Sequence, residues 1–208
     1  MTKTKEYTKK SLIVLLGMLF MGIGINLILY ANIGADPFTT GVMGVFSAIN
    51  RVGTYSFGTA QIIINVVFIT IAFLLNKRKI GFGTLISALV IGVFIDFWKP
   101  IITGGLPAEP TFLLSLILLI AGVLIVSTGI AIYVSPDFGL GAGEILPMIL
   151  SEKTGWKFRY LKIAGDLIFF LIGISLGAVY GVGTIIGLVL MGPTIHFLLP
   201  YAKKLFHV

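Results

Sequence analysis

Two stretches of this sequence combine helix-breaking residues with polar groups able to meet a solute. The first runs from Asn26 through Tyr30, Asn32, Gly34, Asp36, Pro37 and Thr39 to Gly41. The second runs from Tyr133 through Ser135, Pro136, Asp137, Gly139, Gly141 and Glu144 to Pro147. Gly and Pro interrupt helix in both. Asp36, with Pro37 directly after it, and Glu144, near the next apolar run, both suit the start of a new helix. A helix restarted there points unpaired N–H groups and the positive end of its dipole at whatever lies before it. A second group of polar residues stands inside apolar runs. Gln61 precedes Asn65, and Lys162 precedes Asp166, by one helical turn on the same face. At i, i+4 the second pair is spaced for an ion pair. Asn26, Asn32, Asp36, Thr39, Asn65, Asp137, Glu144 and Asp166 are therefore expected to line a substrate site, with Asp166 and Lys162 as a coupling pair. Asp96 (beside Trp98 and Lys99) and His196 read instead as residues of a membrane–water interface.

These residue types do not assemble into a catalytic centre. There is no Ser/His/Asp order, no His-x-x-Glu-His and no carboxylate set with metal-ligand spacing, and His196 and His207 alone do not hold a metal. The absence of cysteine removes thiol chemistry, disulfides and thiolate metal sites. Gly81-Phe-Gly83 and Gly181-Val-Gly183-Thr184 look like fragments of nucleotide loops, but no strand precedes them and no Lys-Ser or Lys-Thr follows. Close helix packing is the expected work of these glycines, of Gly17, Gly22 and Gly24, and of the Gly173/Gly177 pair. Neither an enzyme nor a bound cofactor is expected.

The elements that position these residues follow from composition. Of 208 residues, 57% are apolar and only 11% charged, against roughly 25% charged in a soluble domain. With a mean hydropathy of +1.08 there is too little polar surface to cover a water-soluble globule. The chain reads as an all-α, polytopic integral membrane protein. Six apolar runs are long enough to cross a bilayer: Ser11–Tyr30, Phe57–Leu75, Ile80–Ile102, Phe112–Ser135, Tyr160–Tyr180 and Val182–Pro200. The first is read as a retained helix rather than a signal peptide. Two long joints each contain a short apolar piece, Val42–Ile49 and Ile145–Leu150, too short to span and so interfacial or re-entrant.

Basic residues give the orientation. With the N-terminus in the cytoplasm, that side receives Lys3, Lys5, Lys9 and Lys10; Lys77, Arg78 and Lys79; Lys153, Lys157, Arg159 and Lys162; and Lys203 and Lys204. Only Arg51 and Lys99 of the 15 basic residues fall outside. The net charge of +7 is thus a topology signal, and nucleic acid is not an expected partner.

Internal similarity completes the reading. At an offset of 100 residues, Gly81, Gly83, Thr84, Ile86, Gly92, Ile95, Phe97 and Pro100 meet identical residues between Gly181 and Pro200. At 101, Asn65 meets Asp166; at 105, Gly24 meets Gly129. The expected organisation is a first three-helix repeat over 1–102, an extracytoplasmic linker over 103–111, and a second repeat over 112–208. Three crossings per copy invert the second relative to the first, as in many secondary transporters.

The Gly34-Ala-Asp-Pro37 stretch, the Tyr55-Ser-Phe57-Gly58-Thr59-Ala60 approach to the second span, and Thr154-Gly155-Trp156 before the fifth are similar to the bacterial YczE/YitT-type membrane protein family. The resemblance covers essentially the whole chain. It implies a multi-pass plasma-membrane fold and, since members are spoken of as predicted transporters, a transport role; it implies no substrate. The expectation is membrane transport of a small molecule or ion by alternating access, with membrane lipids around the chain and a homodimer as one possible assembly. The alternatives are a non-transporting accessory protein that binds a partner or lipid, and a small channel.

Overall fold

The computed structural model describes residues 3–77 and 80–207, so Arg78 and Lys79 of the second basic cluster lie outside the described residues. Its eight helices are α1 (Lys3–Ala31), α2 (Pro37–Ile49), α3 (Phe57–Asn76), α4 (Phe82–Thr103), α5 (Phe112–Val134), α6 (Ala142–Thr154), α7 (Phe158–Ser175) and α8 (Val182–Phe206). No strand occurs among the described residues. Five helices, α1, α3, α4, α5 and α8, are long and apolar enough to cross a membrane. The protein is a helical multi-pass membrane protein. Helix α7, the fifth of the six expected spans, has 18 residues but carries Arg159, Lys162 and Asp166. It also stops short of the expected Tyr180. Gly177 adopts φ +98°, and the Ala178 and Gly177 N–H groups donate to Gly173 O and Ile174 O, both at 2.9 Å. That is a Schellman stop, which a glycine in the left-handed region makes easy.

The centre of the bundle is the crossing of α1 and α5. Gly17 abuts the Gly129 carbonyl and Gly24 abuts the Gly122 carbonyl; a methyl group added at either glycine would sit 2.6 Å from that oxygen. Small residues let the backbones meet at this distance, and in lipid that packing, rather than exclusion of water, holds helices together. Around the seam Val14, Met18, Ile25, Ile28, Leu119 and Val123 form the buried core.

Outer helices attach through glycine in the same way. The start of α4 lies on the 138–139 turn, with Gly83 N–H donating to Phe138 O at 3.0 Å. The start of α8 lies on the 33–34 turn, with Gly183 N–H donating to Ile33 O at 2.9 Å. Gly34 and Gly139 both have positive φ, +106° and +152°, and their Cα atoms face the Thr184 and Thr84 N–H groups.

The short helices α2 and α6 begin inside the bundle and end at its surface. In α2 the first turn is buried, whereas Arg51 and Val52 just beyond its end are exposed. Helix α2 runs beside α7, with Gly41 against Phe169 and Gly44 against Gly173, and the Arg51 guanidinium donates to Leu176 O at 3.4 Å. Helix α6 packs Ile145 and Ile149 with Ala72 of α3 and ends at Gly155 (φ +74°), whose N–H donates to Ser151 O. The beginnings of the two meet at Phe38, whose ring lies 3.2 Å from where a methyl on Gly143 would stand. The start of α1 and the end of α8 lie together, with Lys9 Nζ donating to His207 O at 3.3 Å.

Candidate functional site

The first turns of α2 and α6 face a cavity of about 330 Å³ to which all eight helices contribute. Its wall is largely apolar, with Met18, Met21 and Ile25 from α1, Phe38 from α2, and Met191 and Ile195 from α8. A smaller polar set converges on it: Asp36, Gln61, Asn65, Glu144, Lys162 and Asp166. Size and lining both match a small-molecule site, for which roughly 300–1,000 Å³ and a few placed polar groups are usual.

Local chemistry explains each position. Asp36 caps α2: its Oδ1 accepts from the Phe38 and Thr39 N–H groups, both at 3.1 Å. Pro37 follows at the first helical position, where its missing N–H costs nothing. Thr40 secures the turn by donating its hydroxyl to Ala35 O at 3.0 Å. Asp36 is only 8% exposed, and no ion pair reaches it among the described residues. In α6 the N-cap is Gly141, and Glu144 lies in the first turn, where its charge suits the helix dipole. Tyr133 of α5 donates its hydroxyl to Glu144 Oε2 at 3.3 Å.

On α3, Gln61 donates its amide to Asn65 Oδ1 at 3.1 Å, and Asn65 donates to Ala88 O of α4 at 3.0 Å. On α7, Lys162 and Asp166 form the i, i+4 pair at 2.5 Å. Their side chains are 24% and 27% exposed, a wetter setting than that of Gln61 and Asn65.

Six of the residues expected from sequence thus reach the cavity: Asp36, Thr39, Asn65, Glu144, Lys162 and Asp166. Three do not. Asn26 is buried in α1 and donates its amide to Gly22 O and Ile95 O, both at 2.8 Å, which clasps α1 to α4. Asn32 (φ +50°) is exposed in the turn after α1. Asp137 (φ +49°) has a side chain 85% exposed, 3.7 Å from Lys203. In both joints the neighbouring side chains, Ile33 and Ala35 in one and Phe138 in the other, pack against the core instead.

Two contributors escaped the sequence reading. Tyr133 lies in the last turn of α5 and its partner Glu144 in the first turn of α6, so they meet only because the joint between the two helices turns the chain back. Asp96, expected at a membrane–water interface, accepts from Ser56 Oγ at 2.5 Å and from the Gly58 N–H at 3.0 Å, partners that its position in the sequence does not reveal. It latches α3 to α4 where Gly58 and Gly92 bring the two backbones together. Helices α7 and α8 lack the corresponding seam: Gly192 has open space within 4 Å and lines the cavity with Leu188.

Comparison with known proteins agrees with this membrane architecture. The profile of a family described as "Family of unknown function (DUF6198)" matches residues 8–200. The "Uncharacterized membrane protein YczE" of Bacillus subtilis is 29% identical over 191 residues, covering 91% of this chain and 85% of that protein. An "Uncharacterized protein" of Haemophilus influenzae is 27% identical over 206 residues, covering 99% of this chain and 89% of its own. The "Uncharacterized protein YyaS" of Bacillus subtilis is 22% identical, covering 92% of each. No solved structure matches.

Proposed function

The chain belongs to the DUF6198 family and is similar to the YczE membrane protein, and from that premise we propose that it is a secondary transporter or exporter of a small molecule or ion. It works without enzymatic chemistry, by alternating access between two inverted three-helix repeats. In this reading α1, α3 and α4 are the crossings of one repeat, α5, α7 and α8 those of the other, and α2 and α6 are re-entrant half-helices. Both termini face the cytoplasm.

The observation that supports this best is the exchange of contacts under the sequence offsets. Adding 105 to Gly17 and Gly24 gives Gly122 and Gly129, and the contacts Gly17–Gly129 and Gly24–Gly122 are each other's images. Gly83 on Phe138 and Gly183 on Ile33 are images too, as are α2 against α7 and α6 against α3. A two-fold in the membrane plane produces such pairs, and it relates two openings on opposite faces.

The pairs fail to match at one place, and that place carries mechanism. The α3–α4 seam is latched by Asp96, while the α7–α8 seam is parted at Gly192. Halves of like construction in unlike conformations can exchange them: unlatching α3 from α4 while α7 closes on α8 turns the cavity to the other face. Pro193, next to Gly192, has no N–H to bond Val189 O, which lets α8 bend there.

A test needs no knowledge of the substrate. With Met191→Cys as the single cysteine in sealed proteoliposomes, a membrane-impermeant maleimide should react from either face while the vesicles stay tight to ions. Reaction from one face only would rule out alternating access. A persistent ion leak would make the protein a channel.

A further inference from the structure

Among the described residues, the cavity holds more negative charge than positive. Asp36, Glu144 and Asp166 face it with only Lys162 to balance them, a formal charge of about −2 at neutral pH. The α2 and α6 N-termini each add the equivalent of about +0.5, which leaves close to one negative charge. Lys162 is bonded to Asp166 and is within electrostatic reach of Glu144 and Asp36, so three carboxylates share one lysine. Asp36 is more than nine-tenths buried; its Oδ1 is taken by the helix cap, and its Oδ2 accepts nothing among the described residues. An uncompensated buried carboxylate is costly.

A second group points the same way. Gln61 is 5% exposed and lines the cavity. Asn65 must present Oδ1 to it, because Asn65 Nδ2 is spent on Ala88 O. That fixes the Gln61 amide as the donor and leaves Gln61 Oε1 with no donor among the described residues. An acceptor without a donor and an anion without a cation of its own, both opening on the cavity, ask for one kind of guest, a cation that donates hydrogen bonds. The rest of the wall suits an organic body: apart from Thr39, Asn65, Ser87 and the Tyr133 hydroxyl it is thioether, aromatic and aliphatic.

Resting on the reading of this cavity as a substrate site, we infer that it binds a monovalent organic ammonium ion. The N–H groups are received by Asp36, Glu144 and Gln61, and the apolar body lies against Phe38, Met18 and Met191. Phe38 lines the cavity where the α2 and α6 starts meet, held there by Phe68 and Phe169.

The probes are 2-phenylethylammonium, neutral 2-phenylethanol and anionic phenylacetate, nearly equal in shape and different in charge. Each is titrated calorimetrically into the purified full chain in detergent. The ammonium should bind, and the alcohol and the anion should bind at least about tenfold more weakly. Asp36→Asn keeps a good N-cap, and Glu144→Gln keeps an acceptor for Tyr133. Each should weaken ammonium binding about tenfold or more. The inference is overturned if the ammonium does not bind, if the three probes bind alike, or if neither substitution matters. Should a variant unfold, the ranking of the three probes by the unsubstituted protein decides. Binding without passage of labelled 2-phenylethylammonium into proteoliposomes would keep the ligand class and remove transport. Two-sided reaction at Met191→Cys without charge selectivity would do the reverse.

Discussion

Lys162 and Asp166 are bonded to each other, yet they are not equivalent. Lys162 is within electrostatic reach of Glu144 and Asp36 as well as Asp166. If Asp166 becomes Asn, the ammonium keeps two carboxylates nearby, and Asn already stands at the corresponding position, Asn65. If Lys162 becomes Met, three carboxylates share the cavity with no cation. Asp166→Asn is therefore expected to change stability by less than about 1 kcal/mol, and Lys162→Met to cost about 1–3 kcal/mol. Thermal unfolding of the two variants in detergent measures the difference. Equal losses would mean that Lys162 serves Asp166 alone.

Among the elements, the α1–α5 crossing depends on bare backbone. At Gly24 a side chain would meet the Gly122 carbonyl at 2.6 Å, and backbone cannot yield as a flexible side chain does. Gly24→Ala should cost about 1–3 kcal/mol by forcing the helices apart. Gly165, within α7, has nothing within 4 Å of where its Cβ would stand. Gly165→Ala should be neutral or stabilise by up to about 1 kcal/mol, since a helical glycine loses more freedom on folding than alanine. The pair separates glycine used for contact from glycine merely present in an apolar helix, and unfolding temperatures read it directly.

For the whole molecule, orientation is the property that the proposed mechanism cannot do without. Thr103 ends α4 and Thr154 ends α6, and both are exposed. With both termini cytoplasmic, Thr103→Cys should react with an impermeant maleimide added to intact cells, and Thr154→Cys only after the membrane is opened. The chain has no native cysteine to confuse the result. Reaction of Thr154→Cys from outside would invert the order of the two gates: the parted α7–α8 seam would then face outward rather than toward the cytoplasm.

Composition and local spacing alone determined that this is a helical membrane protein. They also placed the long helices, the N-cap at Asp36, the Lys162–Asp166 pair and the shared face of Gln61 and Asn65. Each of these depends on hydropathy, on one helical turn or on a single φ, and such causes act within a few residues. The same locality explains the misplacement of Asn26, Asn32 and Asp137. Whether a polar side chain in a joint meets the cavity, a neighbouring backbone or open surface depends on where the chain goes next. Only the tertiary structure brought Tyr133 to Glu144, gave Asp96 its partners in the latch between α3 and α4, and left α7 apart from α8. It also showed that Asp36, Glu144 and Asp166 share the single cation Lys162, because Coulomb interactions and desolvation follow distance through space rather than along the sequence.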